Sequence, residues 1–250
     1  MLDRMKISIV INVLRSYEVV RRQIEHFRKM NLPDDIEIIF VDDGSNPPIQ
    51  LPEQELKNLA IYYTNDKRPW TQGLARNLGA KMAKGEYLMM TDVDHIWPKE
   101  SIDSVYNFTG DKMVFPRYYG ILDEEGVLHE DLETLFAYGL DPNRLKGRRR
   151  GSAGFHGNSF AIKKSIFDEI GGYEVRRCIG MKHQGKGRGE DIFFALAYSC
   201  RVAQSICKPQ EEGPKMFIFP IGKFHITGDT NPMGLFHGLQ HEPVVQPMLP

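Results

Sequence analysis

The chain has 250 residues, a formal net charge of −1 and three cysteines. A chain of this length can bury a sizeable core in one or two domains. The balanced charge excludes a global field that would commit the protein to nucleic acid or anionic membranes, although the stretch from Arg144 to Arg150 is locally basic. Cys178, Cys200 and Cys207 have no paired spacing, which argues against a disulfide framework and a zinc site and favours reduced thiols.

Strands alternate with helices through the first 97 residues. β-Branched and apolar runs predict strands at 7–13, 36–41, 59–64 and from 87 to about 91. Helical spacing of apolar residues predicts helices at 16–30 and 72–83, the second with Leu74, Leu78 and Met82 on one face. This alternation predicts an α/β fold with a doubly wound, mostly parallel sheet.

The remaining sequence has a looser pattern. It predicts short helices and strands, with helices at 100–108, 131–138, 163–170 and 190–200 and strands at 113–115, 159–162 and 216–220. No apolar run has the length of a membrane span. We expect one continuous domain over 1–250, with a nucleotide-type half (1–97), a half for a second substrate (98–230) and a C-terminal tail (231–250).

Two aspartates follow the fourth predicted strand. Asp92 and Asp94 come at its carboxyl end, which is where open α/β sheets bind their ligands. In an extended chain residues i and i+2 point to the same side, so both carboxylates can face one ligand. Hard oxygen donors suit Mg²⁺ or Mn²⁺ carrying a diphosphate, whereas the simpler interpretation is a strand end with a polar turn.

Polar residues in two other segments could likewise bind a ligand or have a purely structural role. Asp43, in Val41-Asp42-Asp43-Gly44-Ser45, can accept hydrogen bonds from a base or ribose, or can simply belong to an Asp-Gly turn. Arg76 and Asn77 can reach back from the helix to a nucleotide or to the aspartates. The alternative for Arg76 is a solvated position on the helix surface.

The second half of the chain offers a base and a further metal ligand. Glu190 and Asp191 open a predicted helix after a glycine-rich stretch, where an acid can serve as general base or can simply be stabilised by the helix dipole. His225 follows the last predicted strand and is the leading candidate for a third metal contact with the two aspartates. Less well placed by sequence are the histidines His95, His156, His183, His237 and His241.

These motifs, in this order, resemble one family. Val41 to Ser45, Arg76-Asn77, Asp92-Val93-Asp94, Gly189-Glu190-Asp191 and the late His225 are similar to those of GT-A glycosyltransferases, above all family 2 enzymes and the β-1,4-galactosyltransferase type. Gly157 to Phe160 and Ile170-Gly171-Gly172-Tyr173 add to the likeness, which runs from about residue 6 to residue 229. Each motif alone is weak, but their combination and order are specific. The resemblance implies a GT-A type sheet with a C-terminal acceptor-binding half.

The resemblance also implies how the donor is held. Asp43 would contact the uridine of a UDP-sugar together with the chain near Val13 and Arg15. Asp92 would hold the ribose or orient the metal site, and the pair Arg76-Asn77 would lie on the donor side.

Catalytic roles follow from the same resemblance. Asp94 and His225 would bind Mn²⁺, or Mg²⁺, with the diphosphate oxygens. Asp191 would deprotonate the acceptor hydroxyl, and Glu190 would help to bind the donor sugar or the acceptor. The transfer would invert the anomeric centre through a transition state with oxocarbenium character.

The sequence does not identify the acceptor, because one motif differs from the corresponding motif of the family. Residues 183–188 read His-Gln-Gly-Lys-Gly-Arg where the galactosyltransferase type carries tryptophans and glycines. Basic residues at 144–150 belong to a solvated loop, which is the simpler alternative, or they cover the diphosphate or grip an anionic acceptor. The acceptors that remain are a glycan, a lipid-linked sugar and DNA with a hydroxylated base. Since no membrane anchor is visible, we expect a cytoplasmic enzyme of bacterial or viral type.

Two other functions compete with this one. A nucleotidyltransferase that makes activated sugars generally has a glycine-rich phosphate loop after its first strand, and residues 12–17 contain no glycine. A non-catalytic module that binds nucleotide sugars would not need Asp94, Asp191 and His225.

Overall fold

The computed structural model describes residues 5–51, 56–66, 68, 71–140, 142, 152–176 and 189–219. A seven-stranded sheet dominates it. In chain order its strands are β1 (Ile7–Val13), β2 (Ile36–Asp42), β3 (Leu59–Tyr63), β4 (Tyr87–Asp92), β6 (Lys112–Val114), β11 (Phe160–Lys163) and β12 (Glu211–Glu212). Across the sheet the order is β12-β6-β11-β4-β1-β2-β3.

Two smaller sheets and six helices complete the described part of the chain. A four-stranded sheet contains β5 (His95–Ile96), β7 (Arg117–Tyr119), β10 (Ser152–Gly154) and β13 (Met216–Ile218), and a third sheet pairs β8 (Ile121–Leu122) with β9 (Leu128–His129). The helices are α1 (Tyr17–Met30), α2 (Gln72–Met82), α3 (Lys99–Tyr106), α4 (Leu132–Ala137), α5 (Lys164–Ile170) and α6 (Glu190–Ala203). None of these helices is long and apolar enough to cross a bilayer.

The central sheet confirms the predicted α/β class. β1 pairs in parallel with both β2 and β4, and β2 pairs in parallel with β3. β11 runs antiparallel between β4 and β6, so strands from the second half of the chain extend the sheet of the first half. The carboxyl ends of β1, β2 and β4 therefore lie side by side at one edge.

Both faces of the central sheet are buried, as expected for parallel strands. Alternate residues of β1 face opposite sides: Ile9 and Ile11 pack in the core that contains α1, and Val10 packs in the core that contains α2, α5 and α6. Every residue of β1, β2 and β4 is buried. This scaffold holds the strand ends rigidly.

The apolar face predicted for α2 is not its most buried face. Leu74, Leu78 and Met82 are only partly buried. The helix instead turns small residues and one arginine toward the sheet, and its buried residues are Gln72, Gly73, Ala75, Arg76, Gly79 and Ala80. A Cβ at Gly79 would lie 2.3 Å from Val10 Cγ1, so α2 packs unusually close to β1. That close approach brings Arg76 next to Asp92 at the carboxyl end of β4.

Candidate active site

The predicted nucleotide residues meet where β1 and β2 end. The Asp43 amide donates to the carbonyl of Val13 at 2.8 Å. The Arg15 amide donates to Ser45 Oγ at 2.8 Å, and Arg15 has a left-handed φ of 52°. One backbone hydrogen bond and one bond to the Ser45 hydroxyl thus connect the ends of the two strands, and the Arg15 side chain is exposed.

The two aspartates of this loop have different tasks. Asp42 accepts hydrogen bonds from the amides of Ser45 and Ile49, both at 2.8 Å, and so shapes the turn. Asp43 is also buried, and its Oδ1 accepts a hydrogen bond from Thr64 at 3.3 Å. Burial raises the pKa of Asp43 to about 7, because hydrogen bonds from Thr71 and Thr64 offset only part of the desolvation.

Replacing Asp43 with asparagine is expected to raise the melting temperature of the ligand-free protein, by clearly more at pH 8 than at pH 5. The pKa of Asp43 rises from an ordinary 3.8 to about 7 on folding. Folding therefore takes up a proton between these values, and the ionised carboxylate destabilises the fold as the pH rises through that window. Thermal unfolding at both pH values measures the effect. An equal change at pH 5 and pH 8 would contradict the raised pKa.

A buried ion-pair network connects β4 to α6. Arg76 forms a short ion pair with Asp92, and both side chains are 1% exposed. Arg76 Nη1 also lies 3.6 Å from Glu190 Oε1, and Arg76 Nη2 donates to Gln72 Oε1 at 3.2 Å. With its amide nitrogen turned toward β4, Asn12 donates to Asp92 Oδ1 at 3.0 Å. Burial opposes the charge of Arg76, but Asp92 and Glu190 outweigh it and raise the pKa of Arg76.

Asn77 lies in the same helix and has a structural contact. Its amide nitrogen donates to the Tyr173 carbonyl at 2.9 Å, and its amide oxygen accepts from the Tyr173 amide at 2.8 Å. A Cβ at Gly172 would lie 2.5 Å from Asn77 Oδ1, which explains a glycine there. The pair holds the segment after α5 against α2, and a contact of Asn77 with a nucleotide stays a prediction.

Asp94 does not reach the site in the way the extended-chain argument predicted. β4 ends at Asp92, and Asp94 lies in the turn between β4 and β5. The turn, rather than strand alternation, brings the carboxylates together: ligand atoms of Asp92, Asp94 and His95 lie within 4.8 Å of one another. The Asp94 carbonyl also accepts from the Phe219 amide at 3.0 Å, so the chain after β13 passes beside this turn.

His95, which the sequence placed less well than His225, contacts Asp94. Its Nδ1 lies 2.8 Å from Asp94 Oδ1, and its Nε2 lies 3.1 Å from Arg117 Nη1. Because arginine can only donate, Nε2 is the acceptor and Nδ1 carries the proton that it donates to Asp94. Arg117 in turn is held by the carbonyls of Gly154 and Phe155. The signal in the sequence was the position of His95 directly after the paired aspartates.

His156 is a second histidine that lies beside the paired aspartates. Its Nδ1 lies 3.6 Å from Asp92 Oδ2, and its ring centroid lies 5.1 Å from that of His95. Burial lowers the pKa of His156 to about 3, because the attraction of Asp92 compensates only part of the desolvation. His156 is therefore a neutral group at the edge of the site at physiological pH.

The predicted base begins α6 at the opposite side of the network. Asp191 is partly exposed, and a Cβ at Gly157 would lie 3.1 Å from its Oδ2. Glu190 is 5% exposed and Tyr173 is 2% exposed. Within the described ranges Glu190 Oε2 and the Tyr173 hydroxyl are buried and have no hydrogen-bond partner. Such atoms need a partner, and a polar ligand would supply it.

The structure brings most of the predicted site residues to one edge. Val13, Arg15 and Asp43 form one group, and Arg76, Asp92 and Glu190 form the network beside it. Asp94 and Asp191 lie next to that network. The prediction for His225 lies outside the described residues.

Comparison with solved structures defines the class of protein. Residues 1–349 of Staphylococcus aureus TarS match with a TM-score of 0.53 at 15% identity, covering 86% of this chain and 60% of that one. A mannosyltransferase from Pyrobaculum calidifontis, solved with GDP-Man and Mn²⁺, matches with a TM-score of 0.52 at 13% identity, covering 87% of this chain and 57% of that one. The fold is of the GT-A type.

Sequence comparison gives the family. The model for glycosyl transferase family 2 matches residues 8–171, and the chain belongs to that family. It is 25% identical over 177 residues to a glycosyltransferase, GlyG, of Streptococcus pneumoniae, covering 66% of this chain and 58% of the relative. It is 32% identical over 112 residues to a poly(ribitol-phosphate) β-glucosyltransferase of Bacillus spizizenii, covering 42% and 17%. The chain thus spans less than two thirds of each relative.

Proposed function

We propose that the protein transfers a sugar from a nucleotide donor to an acceptor hydroxyl, with a UDP-sugar as donor, a divalent cation bound and inversion at the anomeric carbon. One observation carries this proposal. In a chain of family 2, the ion-pair network of Asp92, Arg76 and Glu190 joins the end of β4 to the start of α6. Donor-side and acceptor-side groups thereby meet at one edge of the sheet.

The donor side fits a nucleoside. Asp43 is a buried carboxyl at the end of β2 whose pKa lies near 7, so binding to an N–H of a base would restore hydrogen bonds lost on burial. Structural neighbours of the chain were solved with UDP, with UDP-GlcNAc and with GDP-Man. Asp43, with the chain at Val13 and Arg15, is the proposed uridine contact.

The turn after β4 fits a divalent cation. Carboxylate oxygens are ligands that Mn²⁺ and Mg²⁺ both accept. Asp92 is committed to Arg76 and Asn12, and His95 orients Asp94 through its Nδ1 proton. Asp94 is therefore the proposed ligand among the described residues, with His225 as its partner from the sequence. When bound, the cation would neutralise the negative charge that grows on the leaving diphosphate.

The acceptor side supplies a base and a sugar contact. In the proposed reaction Asp191 takes the proton of the acceptor hydroxyl while the acceptor oxygen bonds to the anomeric carbon and the bond to the diphosphate breaks. Glu190 Oε2 and the Tyr173 hydroxyl, both buried, would bind sugar hydroxyls. A side chain at position 157 would crowd the Asp191 carboxylate, because a Cβ there would lie 3.1 Å from its Oδ2.

The acceptor proposed for this site is a glycan or a glycolipid with anionic groups. Relatives in Bacillus spizizenii and Staphylococcus aureus are named for transfer to poly(ribitol-phosphate), an anionic polyol. Five cations at Arg144, Lys146, Arg148, Arg149 and Arg150 stand in the acceptor half of this sequence. DNA with a hydroxylated base is the further acceptor that this charge admits. The likeness to the β-1,4-galactosyltransferase type stays a prediction.

A thermal-shift panel of nucleotide sugars with and without Mn²⁺ tests the proposal. A UDP-sugar is expected to raise the melting temperature only with the metal present, and at a hundredfold excess over its Kd it would stabilise the fold by about 2.7 kcal/mol. Asp94→Ala should abolish the metal-dependent part. Asp103→Ala, a surface aspartate paired with Lys99, is the matched control and should keep it. No shift with any nucleotide, with or without metal, would refute the donor site.

A further inference from the structure

One polar side chain of α1 lies on the face of the helix that packs against the core. Gln23 is 1% exposed and shares this buried face with Ile24 and Phe27. A buried amide costs free energy unless its hydrogen bonds are made. The amide nitrogen of Gln23 makes two, to the Val93 carbonyl and, at 2.9 Å, to the His95 carbonyl. Helix α1 therefore reaches directly into the turn after β4.

These two carbonyls belong to the residues on either side of Asp94, the proposed metal ligand. A peptide group is planar, so fixing the planes before and after a residue fixes its backbone dihedrals and the direction of its Cα–Cβ bond. Gln23 holds the plane before Asp94 through the Val93 carbonyl. The Phe219 amide holds the plane after Asp94 by donating to the Asp94 carbonyl at 3.0 Å. Together they fix the direction in which the Asp94 side chain leaves the backbone.

The second hydrogen bond of Gln23 fixes His95 in the same way. The plane before His95 is held by Phe219, and the plane after it is held by Gln23. His95 Nδ1 lies 2.8 Å from Asp94 Oδ1, and this contact restricts the rotation of the carboxylate. A primary amide suits the task, because it carries two donors on one nitrogen at a fixed angle. One side chain thus acts on the backbone of both residues.

The helix that supplies this contact is itself anchored on its other side. His26 of α1 has its Nε2 3.1 Å from the Trp97 carbonyl and its Nδ1 3.0 Å from the Gly126 carbonyl. Arg22 donates to the Leu122 carbonyl at 2.6 Å. Because Leu122 and Gly126 belong to the hairpin of β8 and β9, α1 is held between that hairpin and the turn after β4. This double anchoring keeps Gln23 in a fixed place.

We propose that Gln23 is a positioning residue of the metal site, which fixes the backbone that presents Asp94 and His95. It acts on the cation through Asp94 and not by coordination. The effect on the metal rests on the proposed function, whereas the hold of Gln23 on the turn does not. Loss of an outer contact that orients a metal ligand usually lowers metal affinity about 10- to 100-fold.

A Mn²⁺ titration of the full chain with saturating UDP tests the effect on the metal. Gln23→Met removes the amide and keeps the length of the side chain. The Mn²⁺ concentration that gives half of the metal-dependent thermal shift is expected to rise at least about tenfold. Arg22→Met is the matched control, because Arg22 is buried on the same helix but donates to a carbonyl of β8. It should lower the melting temperature to a similar extent and leave the Mn²⁺ titration unchanged.

Hydrogen exchange of residues 93–96 measures the hold on the turn without metal or nucleotide. In Gln23→Met the exchange of this segment should become about tenfold faster through local opening, whereas in Arg22→Met the faster exchange should appear at β8. If Gln23→Met does not fold, Gln23→Glu takes its place. A buried glutamic acid takes up a proton and can then donate to only one carbonyl, so both effects should keep their direction and become smaller.

Three results would overturn the proposal. These are unchanged exchange at 93–96 in the Gln23 variants, a Mn²⁺ titration that Arg22→Met shifts equally, and faster exchange together with an unchanged Mn²⁺ titration, which would leave Gln23 a structural residue only. A wild type that binds no Mn²⁺ with UDP would refute the proposed metal site instead. The exchange at 93–96 would then decide by itself whether Gln23 holds the turn.

Discussion

Asp191→Asn is expected to lower turnover by about 10²- to 10⁴-fold, the usual contribution of a general base. The change removes the acceptor for the proton while it keeps the shape of the side chain and the start of α6. Glu190, Arg76 and Asp92 keep their contacts, so the affinity for the nucleotide sugar should be unchanged. Turnover is measured as nucleotide released with saturating acceptor, and donor affinity as the thermal shift.

Asp168→Asn is the matched control for that experiment. Asp168 is an exposed aspartate on α5 that pairs with Lys164, and its loss should leave turnover unchanged. Loss of donor binding in Asp191→Asn would show that Asp191 belongs to the donor site. Full turnover in Asp191→Asn would refute Asp191 as the base, and Glu190→Gln would then be the variant to test.

Arg76→Met is expected to lower the free energy of unfolding by about 3–5 kcal/mol, the usual loss when one partner of a buried ion pair is removed. Asp92 and Glu190 would remain buried with no cation between them. The melting temperature should fall on the order of 10 °C. The loss should shrink as the pH is lowered, because protonation would then neutralise the two stranded carboxylates.

Lys99→Met supplies the comparison. Lys99 and Asp103 form an exposed pair one turn apart on α3, and such pairs contribute about 0.3–0.5 kcal/mol. Chemical unfolding of both variants gives the free energies directly. A loss in Arg76→Met as small as that in Lys99→Met would mean that Asp92 and Glu190 do not depend on the arginine for their charge.

The Arg76 network also shows where sequence reasoning falls short. The sequence predicted that Arg76 lies on a helix and that Asp92 lies at a strand end. Either residue, taken alone, could also have been an ordinary polar residue at the protein surface. Their contact depends on the short distance between α2 and β1, which Gly79 permits by leaving no Cβ against Val10. The apolar face of Leu74, Leu78 and Met82 does not reveal this contact, because small residues on another face let the helix pack more closely than large ones would.

For the turn after β4, the sequence located the site but did not predict the geometry that brings its carboxylates together. The paired aspartates at the end of a buried strand identified the site from local pattern alone. The distance between the carboxylates, however, depends on the turn at Asp94 rather than on strand alternation. His95 and His156 entered the site through contacts with Arg117, Asp94 and Asp92 that span up to 64 residues, from 92 to 156. The local periodicity of apolar residues does not predict contacts between residues so far apart in the sequence.

Local sequence patterns were enough to predict the fold class and to locate the motifs. Alternating apolar runs of strand and helix period predict a parallel α/β sheet, because each element must bury one or both faces. The order of the acidic motifs identified the family from short-range pattern. Which polar groups share a charge network could be seen only in the folded chain, because pairing, desolvation and orientation depend on distances between elements far apart in the sequence. For that reason Asp42 shapes a turn, Asp43 has a raised pKa and His95 orients Asp94.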